Sequence, residues 1–350
     1  MKIAVIGASG LIGGHVVRGG VARGHDMVAV GRATPAGSLA GLDVPFRIAD
    51  VLGPPEPLVE GIADADVVVH CAANFSYGGD GGAIHLLATQ GTEAVLRAAH
   101  EAGVRRVVVT SSSVVFGYSL DREPVDEARG LADSADQPAY VVAKIEQDRL
   151  ALDLAGRLGL EVVLACPTMS VGGHATTLGP SNALITDYLA DPTRTSFQGG
   201  CNIVSVRDVG VAHILLAERG TPGSHYLLGA ENLLWTEIHA MIGVLAGVGG
   251  PHSAIGPGTA RLITHLSEAW SVLSGARTSQ TTEQAGMLGR YYWYRHERAA
   301  ELGYAPMPAA AALIEAVSWL AASPHVPRAV RSGMRLADVV QQYRYAGHVA

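Results

Sequence analysis

Lys2-Ile3-Ala4-Val5-Ile6-Gly7-Ala8-Ser9-Gly10-Leu11-Ile12-Gly13-Gly14-His15-Val16-Val17 stands at the head of the chain, and its reading decides the fold. A short apolar run of strand type passes at once into a glycine-spaced turn and then into helix-forming sequence. A tight strand-to-helix turn aims backbone amides and a helix N-terminus at one point, and Gly13 lets the backbone approach that point closely. This is the pattern of a dinucleotide pyrophosphate cradle, with Gly7, Ser9, Gly10, Leu11, Ile12 and Gly13 as candidate contacts. Glycines also serve ordinary turns, but their place at the first strand-helix junction favours the dinucleotide reading.

The same grammar repeats outward from this stretch. Candidate strands are Lys2 to Gly7, Met27 to Gly31, Pro45 to Ala49, Val67 to Cys71, Arg106 to Thr110 and Glu161 to Cys166. Their short, nearly continuous apolar content predicts a parallel sheet covered on both faces, with right-handed crossovers through helices at Leu11 to Arg23, Ile84 to Glu101 and Tyr140 to Leu158. The expected class is therefore α/β, a Rossmann-like doubly wound parallel sheet with a smaller C-terminal substrate lobe. Residues 1–168 form mainly the dinucleotide-binding domain and 169–350 mainly the substrate lobe, with residues 204–217 able to return to the main domain. Helices are expected near Leu184 to Leu189, Trp235 to Leu245, Ala260 to Leu273 and Ala309 to Ala321, and a strand turning into a helix over Val204 to Glu218. No repeat accounts for the length.

Bulk properties narrow the classes. With 350 residues, 48% of them hydrophobic, the chain can bury one large core. Its 25 basic and 32 acidic side chains give a net charge of -7 and no long-range attraction for nucleic acid. Cys71, Cys166 and Cys201 match neither a zinc pattern nor a disulfide framework, so they read as reduced core residues and no metal is expected. No secretory segment or bilayer-spanning apolar run is recognised, which makes the cytoplasm the default location.

The second strand ends at Gly31-Arg32. Without an acidic side chain for a free ribose 2'-hydroxyl, Arg32 is a candidate partner for a 2'-phosphate, which favours NADP (NADPH) over NAD; a solvated surface arginine is the alternative. Asp50, with Val51 beside it, suits the adenine edge or a simple cap. The small residues Ala72 and Ala73 let the chain pass close to the cofactor, while His70, inside an apolar run, reads as a satisfied core histidine.

Chemistry gathers at Ser111-Ser112-Ser113, after the fifth strand, and at Tyr140-Val141-Val142-Ala143-Lys144. Tyr140 and Lys144 share one helical face. A phenol with a pKa about 10 exchanges protons poorly near neutrality, but a neighbouring ammonium favours its phenolate and a serine can bind the same substrate oxygen.

The order of these motifs, completed by Cys166-Pro167-Thr168, closely resembles an extended short-chain dehydrogenase/reductase over nearly the whole chain. The resemblance implies that Gly7, Gly10 and Gly13 hold the pyrophosphate, that Ser112, Tyr140 and Lys144 are catalytic, and that Pro167 and Thr168 lie at the nicotinamide. Counting back from Phe116-Gly117 selects Ser112, with Ser113 as fallback. The chain departs from the family at Ala88, where an asparagine usually precedes the Gly91-Thr92 pair and orders the lysine or a water chain. Phe197 to Gly210 and Gly223 to Gly229 resemble the dihydroflavonol-reductase-like and hopanoid-associated sugar-epimerase-like groups; Asp208 there reads as structural. The resemblance also implies a homodimer through the helices Ile84 to Glu101 and Tyr140 to Leu158.

The function expected first is NADPH-dependent reduction of a small-molecule ketone or aldehyde, with Met169, Leu184, Leu189 and Phe197 compatible with a hydrophobic or aromatic substrate. The alternative is a nucleotide-sugar epimerase or dehydratase with tightly bound NAD(P), for which Asn182, Arg207 and Arg290 are candidate diphosphate ligands. A nonenzymatic cofactor sensor is a third reading. Tyr291 to Tyr294 reads as aromatic packing.

Overall fold

The computed structural model describes the chain except residues 34–36, 74–79, 136, 175–176, 257, 260–286 and 347–350. The expected helix at Ala260 to Leu273 lies outside the described residues.

A seven-stranded sheet carries the fold, built from β1 (Lys2–Ile6), β2 (Asp26–Gly31), β3 (Phe46–Ile48), β4 (Val67–His70), β5 (Arg106–Thr110), β6 (Glu161–Pro167) and β10 (His225–Leu228). Their order is β10-β6-β5-β4-β1-β2-β3 and every neighbouring pair is parallel. Successive strands run first to one side of β1 and then to the other. The sheet therefore divides between β1 and β4, and a crevice opens beyond their carboxyl ends. Both faces are packed. Ile3, Val5, Val69 and Val108 face one apolar cluster, and Ala4, Ile6, Val68 and Val107 the other. That two-sided burial is why these strands read as nearly unbroken apolar runs.

The helices α1 (Leu11–Ala22), α2 (Pro55–Ile62), α3 (Gly81–Glu101), α4 (Ala139–Leu158), α5 (Pro180–Ala190), α6 (Val206–Arg219) and α7 (Trp235–Ala246) complete most of the rest. Helix α2, absent from the sequence reading, carries Pro55 and Pro57 in its first turn, where the backbone N–H groups have no intrahelical acceptor. Helix α6 returns to the main sheet and crosses α1 so closely that a Cβ on Gly210 would lie 2.4 Å from the His15 carbonyl oxygen.

A second sheet orders β11 (Glu231–Leu234), β9 (Gly200–Ser205) and β13 (Tyr291–Tyr292), with β7 (Met169–Val171) also pairing β9. Around it Ile185, Leu189, Ile238, Ile242, Leu313 and Val317 form a separate core. No helix among the described residues is long and apolar enough to cross a membrane.

Candidate active site

The crevice at the ends of β1 and β4 is shaped by absent side chains. Gly7 has φ +83°, and a Cβ there would lie 2.6 Å from the Ala72 nitrogen; a Cβ on Gly13 would lie 2.3 Å from the Gly7 carbonyl oxygen. Both contacts are with backbone and cannot be relieved by rotating a side chain. Helix α1 starts after Gly10 with no side-chain cap, so the amides of its first turn are left for an anion. The loop thus fits a dinucleotide pyrophosphate, which Gly7, Ser9, Gly10, Leu11, Ile12 and Gly13 would hold. Ala72 is half-buried and Ala73 exposed beside this loop.

Strand β5 delivers the three serines, and their neighbours separate them. Ser111 Oγ donates to Asp148 Oδ2 at 2.7 Å, while Ser113 shares a side-chain hydrogen bond with Tyr294. Ser112 shares one with Tyr140. The serine expected from sequence and its fallback are thereby distinguished by their partners: Ser112 meets the phenol. Tyr140 is buried, packed with Ile84, Ala88 and Ala143.

Burial pushes the Tyr140 phenol up to about 12, against a smaller opposing effect from the Ser112 hydrogen bond. The expected phenolate-favouring effect of Lys144 is not what dominates here; Tyr140 is held as the protonated acid. Lys144 follows one turn later and donates from Nζ to the Thr110 carbonyl at 2.9 Å and to Gln147 Oε1 at 2.8 Å. Burial lowers its pKa to about 8, opposed chiefly by Asp148.

Pro167 ends β6, and Thr168 is fixed beside it: its hydroxyl donates to Asn202 Oδ1 at 2.8 Å. Asn202 is fully buried, also accepts from the Ala230 amide, and donates to Asn232 Oδ1 and the Tyr294 carbonyl. Sequence reading missed Asn202 and Gln147. Gln147 carried a usable signal, since it lies three residues after Lys144 on one helix.

Asp50 lies in a turn before α2 and caps no helix, accepting from the Leu52 amide at 3.1 Å, and Val51 is buried against the position of Gly91. Asn182 clamps the backbone of Gly172, donating to its carbonyl at 2.8 Å. Arg207 is exposed and pairs with Glu315 at 4.0 Å, and Arg290 lies over the Tyr118 ring at 4.1 Å. The three groups proposed for a diphosphate are thus engaged separately. Asp208 accepts from the Met307 amide, as a structural carboxylate would. Leu189 belongs to the second core with Met169 packed against it, and Phe197 sits edge-on to His239. Tyr292 and Tyr294 are buried in an apolar cluster with Val115, Phe116 and Cys166.

Residues 3–229, more than half of the chain, match the profile of the NAD dependent epimerase/dehydratase family. The chain belongs to that family. Within the extended short-chain dehydrogenase/reductase superfamily it is an NAD(P)-dependent oxidoreductase of the epimerase/dehydratase type. It is 30% identical over 320 residues to the 4-hydroxy-2-methyl-3-oxo-4-farnesyl-3,4-dihydroquinoline-1-oxide ketoreductase of Stigmatella aurantiaca, covering 87% of this chain and 92% of that protein. Cinnamoyl-CoA reductase 1 of Oryza sativa subsp. japonica is 26% identical over 345 residues, covering 93% of this chain and 92% of that one. Among solved structures, gox2253 superposes with a TM-score of 0.81 at 27% identity, covering 93% of this chain and 99% of its own.

The family comparisons correct the cofactor. DesIV, a dTDP-glucose 4,6-dehydratase from Streptomyces venezuelae, has the same fold with a TM-score of 0.72 at 22% identity, covers 94% of this chain and 100% of its own, and holds NAD. NAD is also the cofactor in other nucleotide-sugar structures of this fold. The expectation of NADP, drawn from Gly31-Arg32, is overturned. Arg32 is exposed, and an arginine at a strand end facing water is compatible with a plain surface role.

Proposed function

We propose that this family member transfers a hydride between NAD and a carbinol or carbonyl carbon, using Ser112 to bind the substrate oxygen, Tyr140 to exchange its proton and Lys144 to order the phenol and the nicotinamide ribose. The observation that carries the reading is the side-chain hydrogen bond between Ser112 and the buried Tyr140, with Lys144 one turn further on. Bound NAD supplies the two-electron acceptor or, reduced, the donor. The chain's own groups manage charge: two hydroxyls converge where an alkoxide would develop, in a site where burial strengthens each hydrogen bond.

Support for the substrate class divides. The family profile is that of epimerases and dehydratases, and the fold is shared with dTDP-glucose and UDP-glucose enzymes. That favours redox-neutral conversion of a nucleotide sugar with retained NAD over the net carbonyl reduction expected from sequence. Reduction of a hydrophobic ketone or aldehyde, in the manner of the dihydroflavonol-reductase-like group, is the second reading. It is favoured by the engagement of Asn182 with Gly172 and of Arg207 with Glu315, which leaves neither aimed as a diphosphate ligand.

The test is to incubate the purified protein with nucleotide sugars and, separately, with NADH and a carbonyl panel, with Tyr140→Phe alongside. A changed sugar without net NADH turnover supports the first reading, and stoichiometric NADH oxidation by a carbonyl supports the second. Turnover of either kind that survives intact in Tyr140→Phe removes the proposed site.

A homodimer through α3 and α4 is proposed, with ion pairs on the exposed faces of these helices. Exposed positions there carry His85 paired with Glu146, Glu93 with Arg97 and Asp153 with Arg157. Sedimentation showing a monomer at concentrations well above those of assay would reject it.

A further inference from the structure

We infer that Gln147 is the positioning residue of Lys144, its amide oxygen fixing the buried ammonium in its charged form behind Tyr140. This rests on the hydride-transfer reading for its catalytic meaning. Lys144 is 2% exposed and Gln147 1% exposed. An ammonium has three donors and no acceptor, so the Gln147 atom facing it must be the oxygen. That fixes the rest of the amide: Nε2 donates to Thr92 Oγ1 at 2.7 Å. Thr92 Oγ1 in turn shares a hydrogen bond with His70 Nε2, 3.2 Å away. Burial lowers His70 to about 3, so it is neutral, and its Nδ1 has no partner among the described residues. Gln147, Thr92 and His70, three buried side chains from α4, α3 and β4, thus form one hydrogen-bonded chain whose amide oxygen meets the lysine.

A buried glutamine costs desolvation that an aliphatic side chain of the same volume would avoid, unless its two polar ends are used. Here both are. Ala88, at the position where the resemblance expects an ordering asparagine, contributes only a methyl group packed against Tyr140 and Ala143. Other groups facing Lys144 are Asp148 on its own helix, itself paired with His225 at 3.1 Å, Cys166 on β6, and Cys71 and His70 on β4. Among the described residues, Thr110 and Gln147 are the two acceptors that touch the ammonium directly.

Lys2 and Lys144 are the only lysines in the chain, so a 13Cε-lysine label gives two side-chain signals, with Lys2 as internal reference. Removing an acceptor from a cation disfavours the cation, and placing a carboxylate there favours it. In Gln147→Met the Lys144 titration midpoint should fall by about one pH unit, and turnover at pH 8 by about fivefold, recovered as the pH is lowered. In Gln147→Glu the midpoint should rise. An unmoved Lys144 midpoint in folded Gln147→Met overturns the inference. Should that variant fail to fold, an unmoved or lowered midpoint in Gln147→Glu does the same. Absence of any NAD-linked turnover in the wild-type protein would defeat the functional reading alone, because the lysine titration needs no substrate.

Discussion

At Tyr140 two influences oppose each other. Burial disfavours the phenolate and holds the pKa near 12, while the hydrogen bond from Ser112 favours it more weakly. The net result is a proton kept on the phenol in the protein alone and given up only when an oxygen beside it becomes basic. Tyr140→Phe deletes that proton and little volume, so hydride-transfer turnover should fall by about 10²- to 10⁴-fold while NAD affinity measured by calorimetry is retained. Lys144 sets the alkaline limit. Its pKa is lowered to about 8, so the cation is present below that value and lost as pH rises through it; turnover should fall on the alkaline side with an apparent midpoint near there. A flat profile from pH 7 to 10 would detach activity from the ammonium. The residue types of this site were legible because local geometry fixes them: a four-residue interval on a helix makes a face, and a strand end presents its serines. Counting back from Phe116-Gly117 selected Ser112, but the partners that tell the three serines apart, Asp148 and Tyr140 on α4 and Tyr294 beyond β13, come from across the fold, as do the contacts that give Asn202 and Gln147 their meaning. Arg32 misled because a charge beside a strand end says nothing of whether it faces a phosphate or water. Arg32→Ala should accordingly leave NAD binding within about threefold, as exposed charges contribute little.

Among elements, the contact between α1 and α6 decides whether the cradle stays aimed. Gly210 and Gly19 face each other across this crossing, where a Cβ on Gly19 would meet the Val211 nitrogen at 3.3 Å and one on Gly210 the His15 carbonyl oxygen at 2.4 Å. Helix α1 begins at the pyrophosphate turn, so pushing it outward displaces the amides that would bind there. Gly210→Ala should destabilise the protein by about 1–3 kcal/mol in urea unfolding and weaken NAD binding. A loss confined to stability would show that α1 tilts without moving its first turn. Sequence pattern foresaw the six strands of the first half to within a residue or two and three of the four helices that connect them, because apolar runs bounded by turn residues and long periodic helices announce themselves locally, whereas the short α2 did not. The second lobe was less legible. Strands β7, β8 (Thr195–Phe197), β12 (Ser253–Ile255) and β13 span two or three residues and exist only by pairing with distant partners, so no local period announces them.

Across the whole molecule, buried histidines sit at the joints. His15 on α1 meets the Gly173 carbonyl at 3.1 Å, His70 on β4 meets Thr92 on α3, His213 on α6 meets Thr110 on β5 at 3.0 Å, and His239 on α7 meets Ser196 on β8 at 2.9 Å. Each ring is nearly inaccessible, and burial lowers each pKa from 6.5, to about 4 for His15, His213 and His239 and about 3 for His70. The unfolded chain therefore binds these protons at a higher pH than the folded one. Between about pH 6.5 and 4 the unfolded state holds more protons, so stability rises with pH and is lost as pH falls through that window. Each fully linked histidine contributes a slope of about 1.4 kcal/mol per pH unit, and four acting together make mild acid a strong perturbant. The urea midpoint should drop steeply from pH 6.5 to 5 and change little from 7 to 8. His239→Phe, which cannot take up the proton but loses the Ser196 bond, should be less stable at pH 7.5 and show a shallower acid slope. An unchanged slope in that variant, with the protein folded at pH 7.5, would mean that folding leaves the proton affinity of His239 unchanged and that its joint is not among those the acid opens.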